Sequence, residues 1–294
     1  VRKIADDIGY VPNRAGVRLR TGRTNVISLV MSTENEIMNM TARLTASIAN
    51  GLRGTPYHLN LTHFFPGDDP MVPIRYIVET GAADAVIFNA VQPDDPRVEY
   101  LVAKGFPFAM HGRSQLTERQ ANFDYDNDAF AQLAVETLAA RSRSNLLLIP
   151  PPINQFYSQE IVKGAKAACS RNKIRLIIAE GVTSDSTIDE VLGFTASVLV
   201  SNPDIDGILT AAPNAAMAAT AGLEKVGRTI GQDIDLVAKD AITFLKLFRK
   251  EMIIIREDVA LAGEFLAKSA IHAIRSPLEP RMRYLDTPSR IFRS

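Results

Sequence analysis

From residue 25 onward, short apolar runs of strand length alternate with stretches of helical period, and that rhythm restricts the chain to parallel β-α-β architecture. The runs are VISLVM (26–31), HLNLT (58–62), AVIFNAV (85–91), PFAM (107–110), NLLLIP (145–150), IRLIIAE (174–180), DGILTAA (206–212), DIDLVA (233–238) and MIIIR (252–256). Most lack polar alternation, so they are expected as central strands covered on both faces. Helical patterns fill the gaps at about 41–53, 71–80, 127–141, 158–171, 187–201, 214–226 and 259–275. In the last of these, Val259, Gly263, Leu266 and Ala270 keep a three-to-four spacing that lays one face on a core.

Eight or nine strands with this many helices exceed one small sheet. With 294 residues, 46% of them hydrophobic, the chain can bury two cores, so the expected fold is α/β with two doubly wound parallel-sheet lobes. The boundary is expected near RQANFDYDNDAF (119–130), where polar residues interrupt the rhythm and Asp126 can cap the next helix. A second crossing is expected after MIIIRED and a third near RYLDTPSR. This divides the chain into a first lobe at about 25–122 plus 256–283 and a second at about 124–253 plus 286–294. Several crossovers make a hinge, and clefts between hinged lobes take small ligands.

Lys plus Arg and Asp plus Glu both number 33, so no global field recruits nucleic acid, membrane or an acidic substrate. Any polyanion contact must be local. The one cysteine, Cys169, excludes an intramolecular disulfide and fits a reducing compartment, where it reads as a small core residue. No 18-residue apolar run and no export-type N-terminus is present, so a cytoplasmic protein is expected, and the absence of an initiator Met suggests a fragment.

Local charge is concentrated at one end. Arg2, Arg14, Arg18, Arg20 and Arg23 precede the first apolar run. NRAGVRLR opens with a helix-capping residue, Asn13, after Pro12, and it sets Arg14 and Arg18 on one face with Ala15 and Leu19 on another. Two turns of helix are marginal alone, and Gly16 costs about 1 kcal/mol relative to Ala, so the helix needs a partner. A DNA duplex would supply one, the arginines meeting phosphates and Leu19 wedging into the minor groove. A flexible basic linker or a solvated helix face accounts equally well for the spacing.

VRKIADDIGYVPNRAGVRLRTGRTNVISLV resembles the junction of the lactose/galactose repressor family, with the last headpiece helix, a hinge helix carrying a leucine, and the first strand of the effector lobe. The likeness continues through FDYDNDAF, DGILTAAPNAAMAATAGLEKVGRTIGQDIDLVAKD and TPSR. It implies two periplasmic-binding-protein-like lobes, a homodimer, and transcription control in which a sugar-like effector alters affinity for operator DNA. Residues 1–24 would be the end of the headpiece plus the hinge, and 25–294 the effector-binding and dimerisation domain.

The resemblance also carries pocket positions. Asn214 stands where the family has the Asn of its ND..A motif, although Ala215 replaces the following Asp. Asp240 occupies the place of the Asp that accepts hydrogen bonds from an effector, and Asp126 with Asn127 matches the DN after the first crossover. Arg113 follows a strand end where members vary. Ile161 replaces a common Arg and Thr183 a common aromatic, which leaves Phe156 or Tyr157 to supply stacking. Lys239, a cation the family does not usually place there, joins Arg113 in admitting an acidic or phosphorylated sugar, or else pairs with Asp240.

No cofactor or metal site is expected. GLEKVGRT (222–229) imitates a phosphate loop but lacks its lysine and the preceding strand, so it reads as a helix end and turn. His58, His63, His111 and His272 are scattered, and NMT and NLT fit a glycosylation pattern that means nothing in a cytosolic protein. Two other classes remain, a solute-binding protein of a sugar uptake system and a sugar-processing enzyme. The first lacks an export signal, and the second lacks a nucleophile and base that act as a pair.

Overall fold

The computed structural model describes Asp7 and residues 14–32, 37–65, 67–116, 120–241 and 244–288, and Asn13 lies outside them, as do the side chains of Arg14 and Ala15. In chain order the first lobe contains α1 (Arg14–Thr21), β1 (Val26–Ser32), α2 (Ile37–Gly51), β2 (His58–Phe64), α3 (Met71–Thr80), β3 (Ala85–Phe88), α4 (Pro96–Ala103), β4 (Phe108–His111) and β5 (Asn122–Tyr125). The second contains α5 (Asn127–Ala139), β6 (Asn145–Ile149), α6 (Phe156–Asn172), β7 (Arg175–Ile178), α7 (Ile188–Ser201), β8 (Gly207–Thr210), α8 (Pro213–Lys225), β9 (Asp235–Asp240), α9 (Leu245–Phe248) and β10 (Ile253–Arg256). The chain then returns to the first lobe as α10 (Val259–Arg275) and β11 (Arg283–Asp286).

Both sheets are parallel. The first has the order β11-β5-β4-β3-β1-β2 and the second β10-β9-β8-β6-β7. In the first, Leu29 of β1 lies between Leu61 of β2 and Ile87 of β3, while in the second Leu147 of β6 lies between Ile177 of β7 and Ile208 of β8. The central strands are buried on both faces, which is why they read as unbroken apolar runs. Strand β2 lies at the sheet edge, and its half-exposed pattern shows there.

Helices cover both faces of each sheet. On one face of the first, α2 and α10 pack Leu44, Ile48, Leu266 and Ala270 against Ile27, Leu29 and Ile87. Each fully buried Leu or Ile contributes about 1.5–3 kcal/mol by leaving water. The close approach of the two helices depends on Gly263, where a Cβ would fall 1.7 Å from Ser47 Oγ. Ser47 Oγ in turn donates to the Val259 carbonyl at 3.1 Å. The face expected from the 259–275 spacing is thus buried as a unit. Cys169 is buried in the second lobe among α5, α6 and their sheet, where burial pushes its thiol up to about 11.

The lobe limits differ from those expected. Strands β5 and β11 both belong to the first sheet, so residues 124–125 and 286 are first-lobe residues rather than the start of second-lobe segments. The polar letters of NFDY masked β5, because Asn122 and Asp124 are buried despite their polarity. The two crossovers and the end of β11 bundle together, and the third crossing expected after RYLDTPSR lies outside the described residues. The Asp126 N–H donates to the Asp286 carbonyl at 2.7 Å, the Tyr125 hydroxyl to the Arg256 carbonyl at 3.1 Å, and the Glu257 N–H to the Asp240 carbonyl at 3.3 Å. Among the described residues, no helix is long and apolar enough to cross a membrane.

Candidate functional site

A cleft opens where the carboxyl ends of the two sheets face each other, the place where open parallel sheets accept ligands. The first lobe supplies Asn89 and Ala90 after β3, His111 and Gly112 at the end of β4, and Asp124 and Tyr125 of β5. The second supplies Asn127, Gln155, Tyr157, Asp185 and Asn214 at or before helix starts, with Lys239 on β9. Glu257 enters from the second crossover.

The loop after β3 is held in an uncommon conformation. Ala90 has φ 52°, a left-handed backbone that disfavours any residue with a Cβ. Its carbonyl accepts from Arg97 Nη2 at 2.9 Å, and Arg97 is locked by the buried carboxylate of Asp95 at 2.7 Å and by the Phe88 ring, 4.5 Å from its guanidinium carbon. Asp95 also caps α4 by accepting from the Arg97 N–H. This buried pair shapes one wall of the cleft.

The floor is an ion pair. Lys239 Nζ lies 2.9 Å from Glu257 Oε2, donates to Asn127 Oδ1 at 3.2 Å, and stands 5.2 Å from the Tyr125 ring and 5.4 Å from the Tyr157 ring. Burial works against the Glu257 carboxylate, and Lys239, through its charge and its hydrogen bond, together with His111 outweighs it and holds the group below the usual range. Burial pushes the His111 imidazole below its ordinary value, so it is neutral at pH 7. Burial also raises Asp124 to about 7, against the pull of Arg113. Among the described residues lining the cleft, Lys239 is the only Lys or Arg, and it is already paired. Carboxylates and amides dominate the rest of the polar lining, a set that accepts and donates hydrogen bonds to hydroxyl groups.

Of the residues singled out from sequence, Asn127, Tyr157, Asn214 and Lys239 line this cleft. Arg113, Asp126 and Phe156 line an adjoining cleft of about 1480 Å³, which shares Asp124 with the first. Asp126 there caps α5, accepting from the Ala129 N–H at 2.9 Å. Asp240 is 1% exposed and lines neither cleft. Lys239 pairs with Glu257, and Asp240, the next residue of the strand, is turned to the opposite face of the sheet. Ile161, in the place of a common Arg, is core. Asn89, His111, Asp124, Gln155, Asp185 and Glu257 were not singled out. Their one common signal is position, each at a strand's carboxyl end or in the loop that follows it.

At the other end of the first lobe, α1 presents Leu19 at 89% exposure. Arg18 Nη2 donates to the Thr80 carbonyl at 2.8 Å, a cation at the C-terminal end of α3. Arg23 Nη1 donates to the Tyr57 hydroxyl at 3.3 Å.

Residues 43–263 match the family model for periplasmic binding proteins and the sugar binding domain of the LacI family. The chain belongs to that family. It is 28% identical over 276 residues to the HTH-type transcriptional regulator AglR of Rhizobium meliloti (strain 1021), covering 91% of this chain and 77% of that one. Among solved structures, it superposes on the transcriptional regulator CelR–cellobiose complex with a TM-score of 0.80, at 20% identity and covering 99% of this chain and 88% of that one. The lac repressor dimer bound to operator and the anti-inducer ONPF gives a TM-score of 0.82, at 16% identity, covering 95% and 96% of the two chains. The fold expected from the alternating pattern is therefore that of LacI-family regulators.

Proposed function

We propose that a neutral, hydroxyl-rich saccharide binds between the two lobes and, by changing their closure, sets whether α1 can seat in operator DNA. The chain is a transcriptional regulator of the LacI family under sugar control rather than an uptake-system binding protein. The observation that carries the choice of ligand is the internal neutralisation of Lys239 by Glu257, with Asp124 and Asp185 left on the same walls. An anionic sugar would enter a cleft whose one cation is already paired, whereas hydroxyls find acceptors in the carboxylates and partners in Asn89, Gln155 and Asn214. Tyr157 provides a ring for the apolar face of a pyranose.

Operator DNA is engaged through α1, with Arg18 on phosphate and Leu19 in the minor groove, together with a DNA-reading headpiece and a second copy of the chain, in the cytoplasm. A saccharide can shift this switch only by its differential affinity for the two closures. The reading assigns no enzymatic step.

Thermal-shift titration of the full chain with cellobiose, maltose and melibiose tests the site. At least one is expected to raise the melting temperature by mass action. Asn214→Ala and Tyr157→Ala are each expected to weaken that response by about tenfold or more in apparent Kd, the loss of roughly one buried hydrogen bond or ring contact. Variants that respond as fully as the parent chain would place the sugar elsewhere.

A further inference from the structure

The adjoining cleft holds a contact that spans the two lobes. Arg113 follows β4 in the first lobe, and its Nε lies 2.7 Å from Asp124 Oδ2 in the same lobe. Its Nη2 crosses the gap and donates to Glu160 Oε2 of α6, in the second lobe, at 2.6 Å. The guanidinium carbon sits 5.5 Å from the ring centroid of Phe156, also on α6. Alongside, the Phe156 N–H donates to the Val91 carbonyl of the first lobe at 2.9 Å. The side chains are sheltered, with 31% of Arg113, 17% of Glu160 and 7% of Asp124 exposed.

Glu160 is itself positioned. Its Oε1 lies 3.8 Å from Lys163 Nζ, and Lys163 pairs at 2.8 Å with Asp128 at the start of α5. The carboxylate is therefore presented to Arg113 by a helix fixed in the second lobe. Glu160 and Arg113 lie outside the two crossover segments, so losing their pair acts on how readily the lobes separate.

We propose that Arg113 is an interlobe clasp, joined to Glu160 so as to keep the lobes closed without ligand, and that Asp124, which lines both clefts, ties the clasp to the effector site. A charge-assisted, partly buried pair stabilises closure enough to shift an open–closed equilibrium severalfold to about a hundredfold. A saccharide that engages Asp124 then acts on a group already committed to the clasp. Arg113 is in this sense a positioning residue, one that acts through Asp124 and Glu160 instead of reading the sugar itself.

The clasp is read in ligand-free protein, so its test is independent of the proposed saccharide. Amide hydrogen exchange is followed at Phe156, whose N–H bonds across the lobes, and at Leu147 in the core of the second sheet. Arg113→Gln and Glu160→Gln are each expected to speed exchange at Phe156 by about tenfold while leaving Leu147 unchanged. The double variant is expected to exchange no faster than the faster single, because one contact cannot be lost twice. Unchanged Phe156 exchange in the singles, additive effects in the double, or equal acceleration at Leu147, which marks global destabilisation, would each overturn the clasp.

Discussion

Replacing Lys239 with Met removes the ammonium and keeps most of the side chain's volume among the rings of Tyr125, Phe130 and Tyr157. The cost then falls on Glu257, whose side chain is 3% exposed and whose charge is compensated by Lys239 at 2.9 Å. Breaking a buried pair by removing one partner costs about 3–5 kcal/mol, because the remaining charge is left desolvated. For a chain of this size each kcal/mol lowers the melting temperature by about 2–4 °C, so a fall of roughly 6–20 °C is expected. Lys239→Met combined with Glu257→Gln removes both charges and is expected to recover all but about 1–2 kcal/mol. Urea denaturation followed by circular dichroism measures Lys239→Met, Glu257→Gln and the double variant. The acid limb gives a second reading. Lys239 holds the Glu257 carboxylate below its usual range, so this group's contribution is present above the ordinary value of 4.5 and lost as pH falls through the folded value. The gap between parent and Lys239→Met should therefore narrow in acid. A single variant within 1 kcal/mol of the parent, or a double variant that loses the sum of two singles, would refute the reasoning.

Gly263→Ala places a Cβ 1.7 Å from Ser47 Oγ and 2.8 Å from the Ile48 nitrogen, so α2 and α10 must part. A loss of about 1–3 kcal/mol in urea is expected, and unchanged stability would contradict the close approach. Asp124, which faces Arg113, Glu257 and Lys239, is raised from 3.8 to about 7. The folded state thus takes up its proton more readily than the unfolded one, and stability from this group falls as pH rises from about 4 to about 7. Asp124→Asn is spared that loss, so its melting temperature relative to the parent should rise between pH 5 and pH 8, and a relative fall would reverse the assignment. With a headpiece present, Leu19→Ala is expected to weaken operator binding in a gel-shift assay while leaving the saccharide-induced melting shift unchanged. Unaltered operator affinity would remove the wedge role.

Much of the fold was legible because buried parallel strands leave an unbroken apolar signature, as VISLVM and NLLLI do. Strand β5 was not legible, since its buried Asn122 and Asp124 serve the clefts and not the core, and α4 is only eight residues long. The cleft was read in part. Asn214 and Tyr157 stand at helix starts that a family pattern marks, whereas Glu257 and His111 meet Lys239 only because three strand ends converge. Ion pairing between residues 18 apart in the sequence, as Lys239 and Glu257 are, has no local pattern. Nor had Arg113, whose partner Glu160 lies 47 residues away in the other lobe.

The central claim, that the cleft takes an uncharged saccharide because its cation is already neutralised, is tested most directly by a matched titration. Calorimetry of the full chain with galactose, galacturonate and galactose 1-phosphate, and with glucose, glucuronate and glucose 1-phosphate, compares each neutral sugar with two anionic derivatives of the same ring. The account predicts measurable heat from a neutral member and at least tenfold weaker binding of its anionic counterparts. Tighter binding of an anionic member, lost in Lys239→Met, would show that Lys239 turns from Glu257 to the ligand and would contradict it.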